Sequence, residues 1–214
     1  MTAPVDRRPD PAPGGMQRRD LSLELESRSS FLNLAGLIQG GLLLGSLVLI
    51  ELFDLPVWDR LHWSWRDCGW GLLATLPMIA VLAGAGRLRR LVGDLIGKPL
   101  SLCTWYDLVL IAALAGVGEE LLFRGVLTVW IGRIDPWTGV IAVNVIFALL
   151  HAVTPAYFVL AAAFGFYLSF LAEQPGAPNL LRPIITHAVY DYIAFLWIVR
   201  EYRMRKSDPP ISDF

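Results

Sequence analysis

The chain has 214 residues, of which 55% are hydrophobic and 17% charged, and its mean hydropathy is +0.53. A composition this apolar excludes a soluble domain with an aqueous surface and predicts an integral membrane protein in contact with the lipid bilayer. The net charge of −1, with basic residues beside the hydrophobic runs and not in one patch, gives no support for a nucleic-acid partner, and none is expected.

The N-terminal stretch, residues 1–30, combines four prolines, a Gly-Gly pair and mixed charges. Such a composition cannot bury enough apolar surface to fold alone, so it predicts a disordered cytoplasmic tail. It lacks the basic region, apolar segment and small-residue cleavage site of a signal peptide. The first hydrophobic run is therefore expected to stay in the protein as a membrane span.

The hydrophobic runs predict the fold, because a helix that crosses a bilayer needs about 20 mostly apolar residues. Six runs qualify as candidate spans: 31–52, 68–86, 106–131, 137–153, 155–172 and 181–199. The sequence therefore predicts an all-α, polytopic membrane bundle of about six transmembrane helices with an intramembrane polar cavity. This domain would occupy residues 31–200, followed by a cytoplasmic tail at 201–214.

The first two spans have the features of a scaffold. Gly36-xxx-Gly40 and Gly41-xxx-Gly45 either let helices approach closely in lipid or only make the first helix flexible, and the sequence does not choose between these. Tryptophans crowd the loop that follows, as is typical of an aromatic belt at a membrane interface. His62 lies among them and is expected to be an ordinary surface residue.

Orientation follows from the lysines and arginines that flank the spans. Thirteen lie in the N-terminal tail, the loop after the second span and the C-terminal tail, whereas four lie on the opposite side. The positive-inside rule then places both termini in the cytoplasm. Cys68 and Cys103 would lie at opposite membrane faces, so no disulfide between them is expected.

Three ionisable side chains interrupt the apolar run of residues 108–131: Glu119, Glu120 and Arg124. Ionisable groups at membrane depth are costly and indicate a functional site. On a helix Glu120 and Arg124 share a face and can neutralise each other, whereas Glu119 points about 100° away and is free for chemistry. The alternative is a buried polar knot that only fixes helix packing, and this motif alone favours neither.

Two further spans carry polar residues at helical spacing. Asn144 and His151 are seven residues apart in the fourth span, and His187 and Asp191 are four apart in the sixth. The Asp191 carboxylate can orient the His187 imidazole or share a water with it. Both pairs are therefore candidates for the same polar interior.

The chemistry that these residues suit is the activation of water. The spans contain no serine or cysteine in a nucleophile motif, no glycine-rich phosphate loop and no His-Glu-x-x-His helix. Glu119 can serve as a general base in an apolar site, the two histidines can hold the water or a developing oxyanion, and Asp191 can steady His187.

Three motifs occur in order on separate hydrophobic helices: EExxxR at 119–124, FxxxH at 147–151 and HxxxD at 187–191. Together they resemble the CPBP family of intramembrane proteases, which includes the CAAX prenyl endopeptidases and bacterial relatives linked to bacteriocin self-immunity. The resemblance covers about residues 100–200. It implies a multi-pass enzyme of a bacterial plasma membrane that cuts a membrane-associated protein or peptide.

The resemblance also implies roles for the site residues. Glu119 would activate water with His151, while His187 and Asp191 would support the water or the oxyanion. Glu120 and Arg124 would have a mixed structural and catalytic role. The neighbouring residues of the fourth span that are expected to contact substrate are Asn144 and Phe147.

The position of Asp191 departs from the family pattern, since the prenyl-peptide members have asparagine there. An aspartate adds negative charge, accepts hydrogen bonds where asparagine can donate them, and suits a metal. Relatives are described both as metalloproteases and as metal-independent glutamate proteases. Zinc could be held by His151 and His187 with a carboxylate and a water, but the sequence favours metal-free water activation, so either no cofactor or zinc is expected.

The catalytic interpretation makes a geometric demand. At about 1.5 Å per residue, His151 and His187 would lie at opposite ends of parallel spans, so one span must start deeper, extend further or tilt. We expect His151, His187 and Glu119 to converge in one water-accessible cavity. The competing functions are a non-catalytic membrane scaffold or immunity protein and a proton or ion pathway.

Overall fold

The computed structural model of the chain describes residues 27–174 and 177–207. All regular structure in these ranges is helical, with no strand among them, which confirms the predicted all-α fold. The predicted N-terminal tail, residues 1–30, lies almost entirely outside the described residues, as does the end of the predicted C-terminal tail.

The described part of the chain forms a bundle of α-helices joined by short connections. In chain order the helices are α1 Arg28–Leu52, α2 Trp65–Gly84, α3 Gly86–Leu102, α4 Trp105–Glu120, α5 Thr128–Gly132, α6 Pro136–Leu150, α7 Pro155–Ala172 and α8 Leu181–Ser207. A 3₁₀ turn, Trp58–Arg60, lies between α1 and α2, and a π-helix, Leu121–Leu127, joins α4 to α5. Residues 105–132 therefore form one continuous rod.

Three of these helices, α1, α2 and α7, are long and apolar enough to cross a membrane by length and composition. Helix α6 is also apolar but shorter. Buried polar groups inside a bundle with an apolar exterior suit a bilayer, where every backbone group must be satisfied within the helix. The predicted membrane helical bundle is thus the observed fold.

Side-chain caps fix where the helices that carry the site begin. Thr104 and Asp107 form a reciprocal capping box at the start of α4. Asp135 caps α6 and Thr154 caps α7, and each is followed by a proline at the first helical position. These starts set the register that brings the polar residues of α4, α6 and α7 to one level.

Helix α8 lies at the centre of the bundle, where it packs against α2, α3, α4 and α7. Its contact with α4 depends on Gly116, because a Cβ there would lie 2.8 Å from the Ala188 Cβ and 2.9 Å from the Ile184 carbonyl oxygen. On another face of α4, a Cβ on Gly118 would lie 3.0 Å from the Gln39 carbonyl oxygen of α1. Small residues on α4 therefore let both neighbouring helices approach closely.

The glycines of α1 do not make such contacts. A Cβ added at Gly36, Gly40, Gly41 or Gly45 would meet no atom of the described chain within 4 Å. Of the two interpretations of this glycine spacing, the structure therefore gives no support to close packing within the chain.

A loop was predicted after the second span. This prediction is wrong, because residues 87–98 belong to the amphipathic helix α3. Its apolar face packs on α8, where Leu100 and Ile198 belong to one buried cluster. Its polar face is tied to α8 by an ion pair of 2.7 Å between Asp94 and Arg205. A search for long apolar runs misses such a helix, because charged residues interrupt its apolar face at helical spacing.

Helix α8 also extends past the predicted end of its span, from residue 199 to Ser207. Its last two turns run beside α3, where Arg205 contacts Asp94. Cys68 and Cys103 are both free thiols, as predicted.

Candidate active site

The predicted convergence of three helices is observed. Glu119 Oε2 of α4 lies 3.8 Å from His151 Nε2, directly after α6, and 4.0 Å from His187 Nε2 of α8. The contact of Gly116 with Ala188 explains how His187 reaches this level, since it places the first two turns of α8 beside the end of α4.

Glu120 and Arg124 form the predicted ion pair, with 2.9 Å between Glu120 Oε1 and Arg124 Nη1 and side chains that are 0% and 1% exposed. The guanidinium also donates to Asn144 Oδ1 at 3.2 Å and to the Gly165 carbonyl oxygen at 2.9 Å. Ser169 completes this network through the Arg124 Nε at 3.4 Å. Every partner is buried, so the pair holds α4, α6 and α7 together.

Glu120 has a second partner that the sequence did not reveal. Its Oε1 lies 2.8 Å from His187 Nδ1, a hydrogen-bond distance. Because a carboxylate oxygen accepts, His187 Nδ1 carries the proton that it donates. The carboxylate predicted to orient this imidazole was Asp191, but Asp191 Oδ2 lies 3.5 Å from the other ring nitrogen, Nε2. Glu120 is therefore the residue that orients His187.

His151 is held in the same tautomer by a different acceptor. Its Nδ1 lies 2.8 Å from the Phe147 carbonyl oxygen, one turn back along α6, so Nδ1 donates. The Phe147 ring packs on the imidazole with 4.3 Å between ring centroids. Both histidines thus present Nε2 towards Glu119.

Glu119 has one satisfied oxygen and one that faces the histidines. Oε1 accepts a hydrogen bond of 2.9 Å from Gln39 Nε2 of α1. Oε2 is buried and has no hydrogen-bond partner among the described residues. Its distances of 3.8 and 4.0 Å to the two Nε2 atoms exceed a hydrogen bond and suit groups that share a water.

Gln39 shows that α1 is more than a scaffold. Its amide is a polar group inside an otherwise apolar stretch, and this isolation was the one feature of the sequence that indicated a buried partner for Gln39. Sequence reasoning could not identify its partner, because the two side chains are 80 residues apart.

A small cavity of about 60 Å³ adjoins the histidines, large enough for water. Its polar lining comes from His151, His187, Asp191 and two tyrosines that the sequence analysis missed, Tyr157 and Tyr190. Tyrosines are common in apolar membrane helices, so nothing in the sequence distinguished these two.

A larger cavity of about 590 Å³ lies elsewhere, between the start of α2 and the end of α7. His62 and Asp67 line it together with Arg182, and none of the predicted catalytic residues does. Asp67 and Arg182 form an ion pair there, with 2.6 Å between Oδ1 and Nε. The larger cavity is therefore separate from the convergence of Glu119 with the two histidines.

The two residues predicted to contact substrate lie in different places. Phe147 lines the small cavity. Asn144 is fully buried, and its side-chain amide contacts Arg124, Ser169 and the Val140 carbonyl oxygen. This gives Asn144 a supporting contact to the ion pair in place of the predicted contact with a substrate.

The donor atoms for the predicted zinc alternative are present, since His151 and His187 both direct Nε2 towards a carboxylate. Zinc would need nitrogen or oxygen ligands at about 2.0–2.2 Å around one centre. Within the described ranges, no group of three or more histidine, cysteine, aspartate or glutamate side chains is placed to hold a metal ion. The zinc alternative stays a prediction.

Comparison with known protein families gives a match over part of the chain. Residues 101–193 match the family model described as type II CAAX prenyl endopeptidase, Rce1-like. The segment runs from the end of α3 into α8 and contains all three motifs. No curated protein and no solved structure matches the chain. The match confirms, for the segment that it covers, the resemblance to CAAX prenyl endopeptidases predicted from the three motifs.

Proposed function

We propose that this integral membrane protein is an endopeptidase that hydrolyses a peptide bond in a membrane-associated protein or peptide. The observation that carries the proposal is the arrangement around Glu119 Oε2. This buried oxygen faces the Nε2 atoms of two histidines whose tautomers are fixed by their own Nδ1 hydrogen bonds. A carboxylate and an acceptor nitrogen around one point can orient and deprotonate a water, and the second imidazole lies beside them.

The reaction would begin with a water between Glu119 and His151. His151 Nε2 accepts one hydrogen bond from the water, and Glu119 Oε2 takes its other proton as oxygen attacks the carbonyl carbon of the scissile bond. The carbonyl oxygen becomes an oxyanion. When the carbon–nitrogen bond breaks, Glu119 returns its proton to the leaving amine, and the new terminus is a carboxylic acid.

The other charged residues would keep this arrangement rigid. Arg124 balances the buried charge of Glu120, and Glu120 holds His187 through Nδ1. Groups fixed before the reaction need no reorganisation during it, which lowers the barrier. Glu120 and Arg124 are thus positioning residues in this proposal, whereas Glu119 and His151 contact the reacting water.

The experiment compares cells that carry the wild-type protein with cells that carry Glu119→Gln, which keeps the side-chain shape and removes the base. New peptide termini in the membrane fraction are identified by mass spectrometry. Glu51→Gln is the matched control, since Glu51 is exposed on α1. We expect termini that depend on the wild-type protein to disappear in Glu119→Gln and to persist in Glu51→Gln. Identical termini in Glu119→Gln and wild-type cells would exclude proteolysis by this site.

Substrate class and metal dependence are tested with purified protein in proteoliposomes. A quenched peptide with a farnesylated cysteine three residues before its C terminus is compared with the same peptide without the lipid, which shows whether a prenyl group is recognised. Metal content is measured on the same preparation. We expect cleavage to persist after treatment with a zinc chelator, and its loss and recovery with added zinc would replace the metal-free mechanism by a metal-dependent one.

A further inference from the structure

The larger cavity, of about 590 Å³, has no part in the proposed hydrolysis, yet it has the size of a ligand site. It lies between the first half of α2 and the last turns of α7, beside the connection from α7 to α8. Its lining is charged at one end and apolar at the other. Such a cavity suits an amphiphile, a molecule with a polar head and an apolar chain.

Tryptophans mark the charged end of the cavity as the level of a membrane interface. Trp63 and Trp65 are largely exposed and pack edge to face, with 5.1 Å between their ring centroids. Trp70 lines the cavity and is also exposed. Exposed tryptophans gather where lipid headgroups meet acyl chains, because the indole ring is apolar and its N–H is polar. The charged end of the cavity therefore lies at the level of the headgroups.

The apolar lining lies deeper than the charged lining on both walls. On α2, Leu73 follows Arg66 by seven residues, which at about 1.5 Å per residue places it roughly 10 Å further along the helix. On the opposite wall, Tyr167 of α7 contacts Ala74, and Gln174 comes seven residues later, just past the end of the helix. Both walls thus change from polar to apolar in the same direction, as a phospholipid does.

Among the described residues that line the deep end, no polar side chain is left without a partner. The Tyr167 hydroxyl donates to the Ala74 carbonyl oxygen at 2.9 Å. The other side chains at this level, Leu73, Phe170 and Leu171, are apolar. Leu73 and Phe170 are 57% and 62% exposed, so the cavity is open on the side of the bilayer. An acyl chain can lie there without breaking a hydrogen bond.

One of the two arginines at the charged end is committed to the protein. Arg182 Nε donates to Asp67 Oδ1 at 2.6 Å, and its Nη2 donates to the Ala177 carbonyl oxygen at 3.2 Å. Asn179 Nδ2 donates to the second oxygen of Asp67 at 2.9 Å. This ion pair is neutral as a whole and holds the start of α8 against α2.

The other arginine, Arg66, is available to a ligand. It is exposed and has no hydrogen bond or ion pair among the described residues, although it directly precedes Asp67. Its backbone is fixed, because the next N–H, that of Asp67, donates to Ser64 Oγ at 3.3 Å in the cap of α2. The charged residues of the lining are two arginines and one aspartate, so one positive charge is left for an anion.

We propose that this cavity binds an anionic phospholipid, with the phosphate at Arg66 and an acyl chain along Leu73 and Phe170. A guanidinium can donate two parallel hydrogen bonds to a phosphate. The acyl chain covers apolar side chains that line the open side of the cavity. A zwitterionic phospholipid brings a cation of its own towards Arg66 and is held less tightly. Because this binding does not involve Glu119, it does not depend on the proposed hydrolysis.

The test of the headgroup contact is lipid retention by the purified full-length protein in detergent, measured by native mass spectrometry during titration with phosphatidylglycerol or phosphatidylcholine. We expect tighter binding of phosphatidylglycerol, and a loss of about threefold or more in its affinity in Arg66→Gln. Arg133→Gln is the matched control, because Arg133 is an exposed arginine outside this cavity. A smaller loss in Arg66→Gln, an equal loss in Arg133→Gln, or equal affinity for the two lipids would overturn the proposal.

A second pair of variants tests the acyl chain. Leu73→Trp narrows the deep end of the cavity, whereas Leu72→Trp adds the same bulk to an exposed neighbour that does not line it. Since both side chains are exposed, both variants should fold. We expect Leu73→Trp to retain less phosphatidylglycerol than Leu72→Trp, and equal retention would overturn the proposal. Displacement of the lipid by an equal concentration of glycerol phosphate would also overturn it, because a free anion would then suffice.

Discussion

The buried pair of Glu120 and Arg124 predicts a large loss of stability when only one partner is removed. Arg124→Met keeps a long apolar side chain but deletes the charge and the donors to Glu120, Asn144 and the Gly165 carbonyl oxygen. Breaking a buried ion pair in this way costs about 3–5 kcal/mol, because the partner charge stays buried without compensation. His187 still donates to Glu120, so we expect about 3–4 kcal/mol of unfolding free energy to be lost.

A double substitution isolates the charge effect. In Arg124→Met with Glu120→Gln, no uncompensated carboxylate is left and the amide can still contact His187, so the loss should shrink to about 1–2 kcal/mol. Unfolding is followed by tryptophan fluorescence in mixed micelles with increasing denaturing detergent. Arg133→Met is the control, because the exposed Arg133 only contacts two loop carbonyl oxygens and should cost about 0.5 kcal/mol or less.

Two outcomes would refute this reasoning. One is a cost of less than about 1 kcal/mol for Arg124→Met, which would mean that the pair contributes no more than a surface ion pair. The other is a double variant that is less stable than Arg124→Met, which would mean that the loss comes from packing and not from the unpaired charge of Glu120.

The same measurements test two further contacts. Gly116→Ala should lower the free energy of unfolding by about 1–3 kcal/mol, because its Cβ would lie 2.8 Å from an atom of α8. Gly40→Ala should be neutral or slightly stabilising, because a Cβ there would meet nothing within 4 Å. Equal effects of the two substitutions would contradict the role of α4 packing. Gln39→Leu should lower kcat about 10-fold, since it removes the hydrogen bond that orients the proposed base. An unchanged kcat in this variant would show that the amide does not position the carboxylate.

The sequence was sufficient for interactions between residues close in the chain. The pairing of Glu120 with Arg124 follows from their i, i+4 spacing, and the division between Glu120 and Glu119 follows from their angle on the helix. That Glu119 would meet His151 and His187 was predicted from the chemistry of water activation and from the resemblance of the motifs, although a simple arrangement of parallel spans would have kept the two histidines apart.

The parts that were missed depend on contacts between distant segments. Gln39 and Tyr157 look like isolated polar atoms in apolar helices, and only the packing of α1 and α7 brings them to the site. Helix α3 was missed because amphipathic helices do not form long apolar runs. Asn144 was predicted to contact substrate because its position on α6 followed from the sequence, whereas its contact with Arg124 did not.

The two interpretations of the charged motif, a polar knot and a catalytic site, turn out to concern different residues. Arg124, Asn144 and Ser169 lie in a buried hydrogen-bonded network, which is what a structural knot requires. Glu120 belongs to that network and also accepts a hydrogen bond from His187 Nδ1. Changes at Glu120 should therefore reduce stability and cleavage together, whereas changes at Glu119, whose Oε2 faces only the histidines, should reduce cleavage alone.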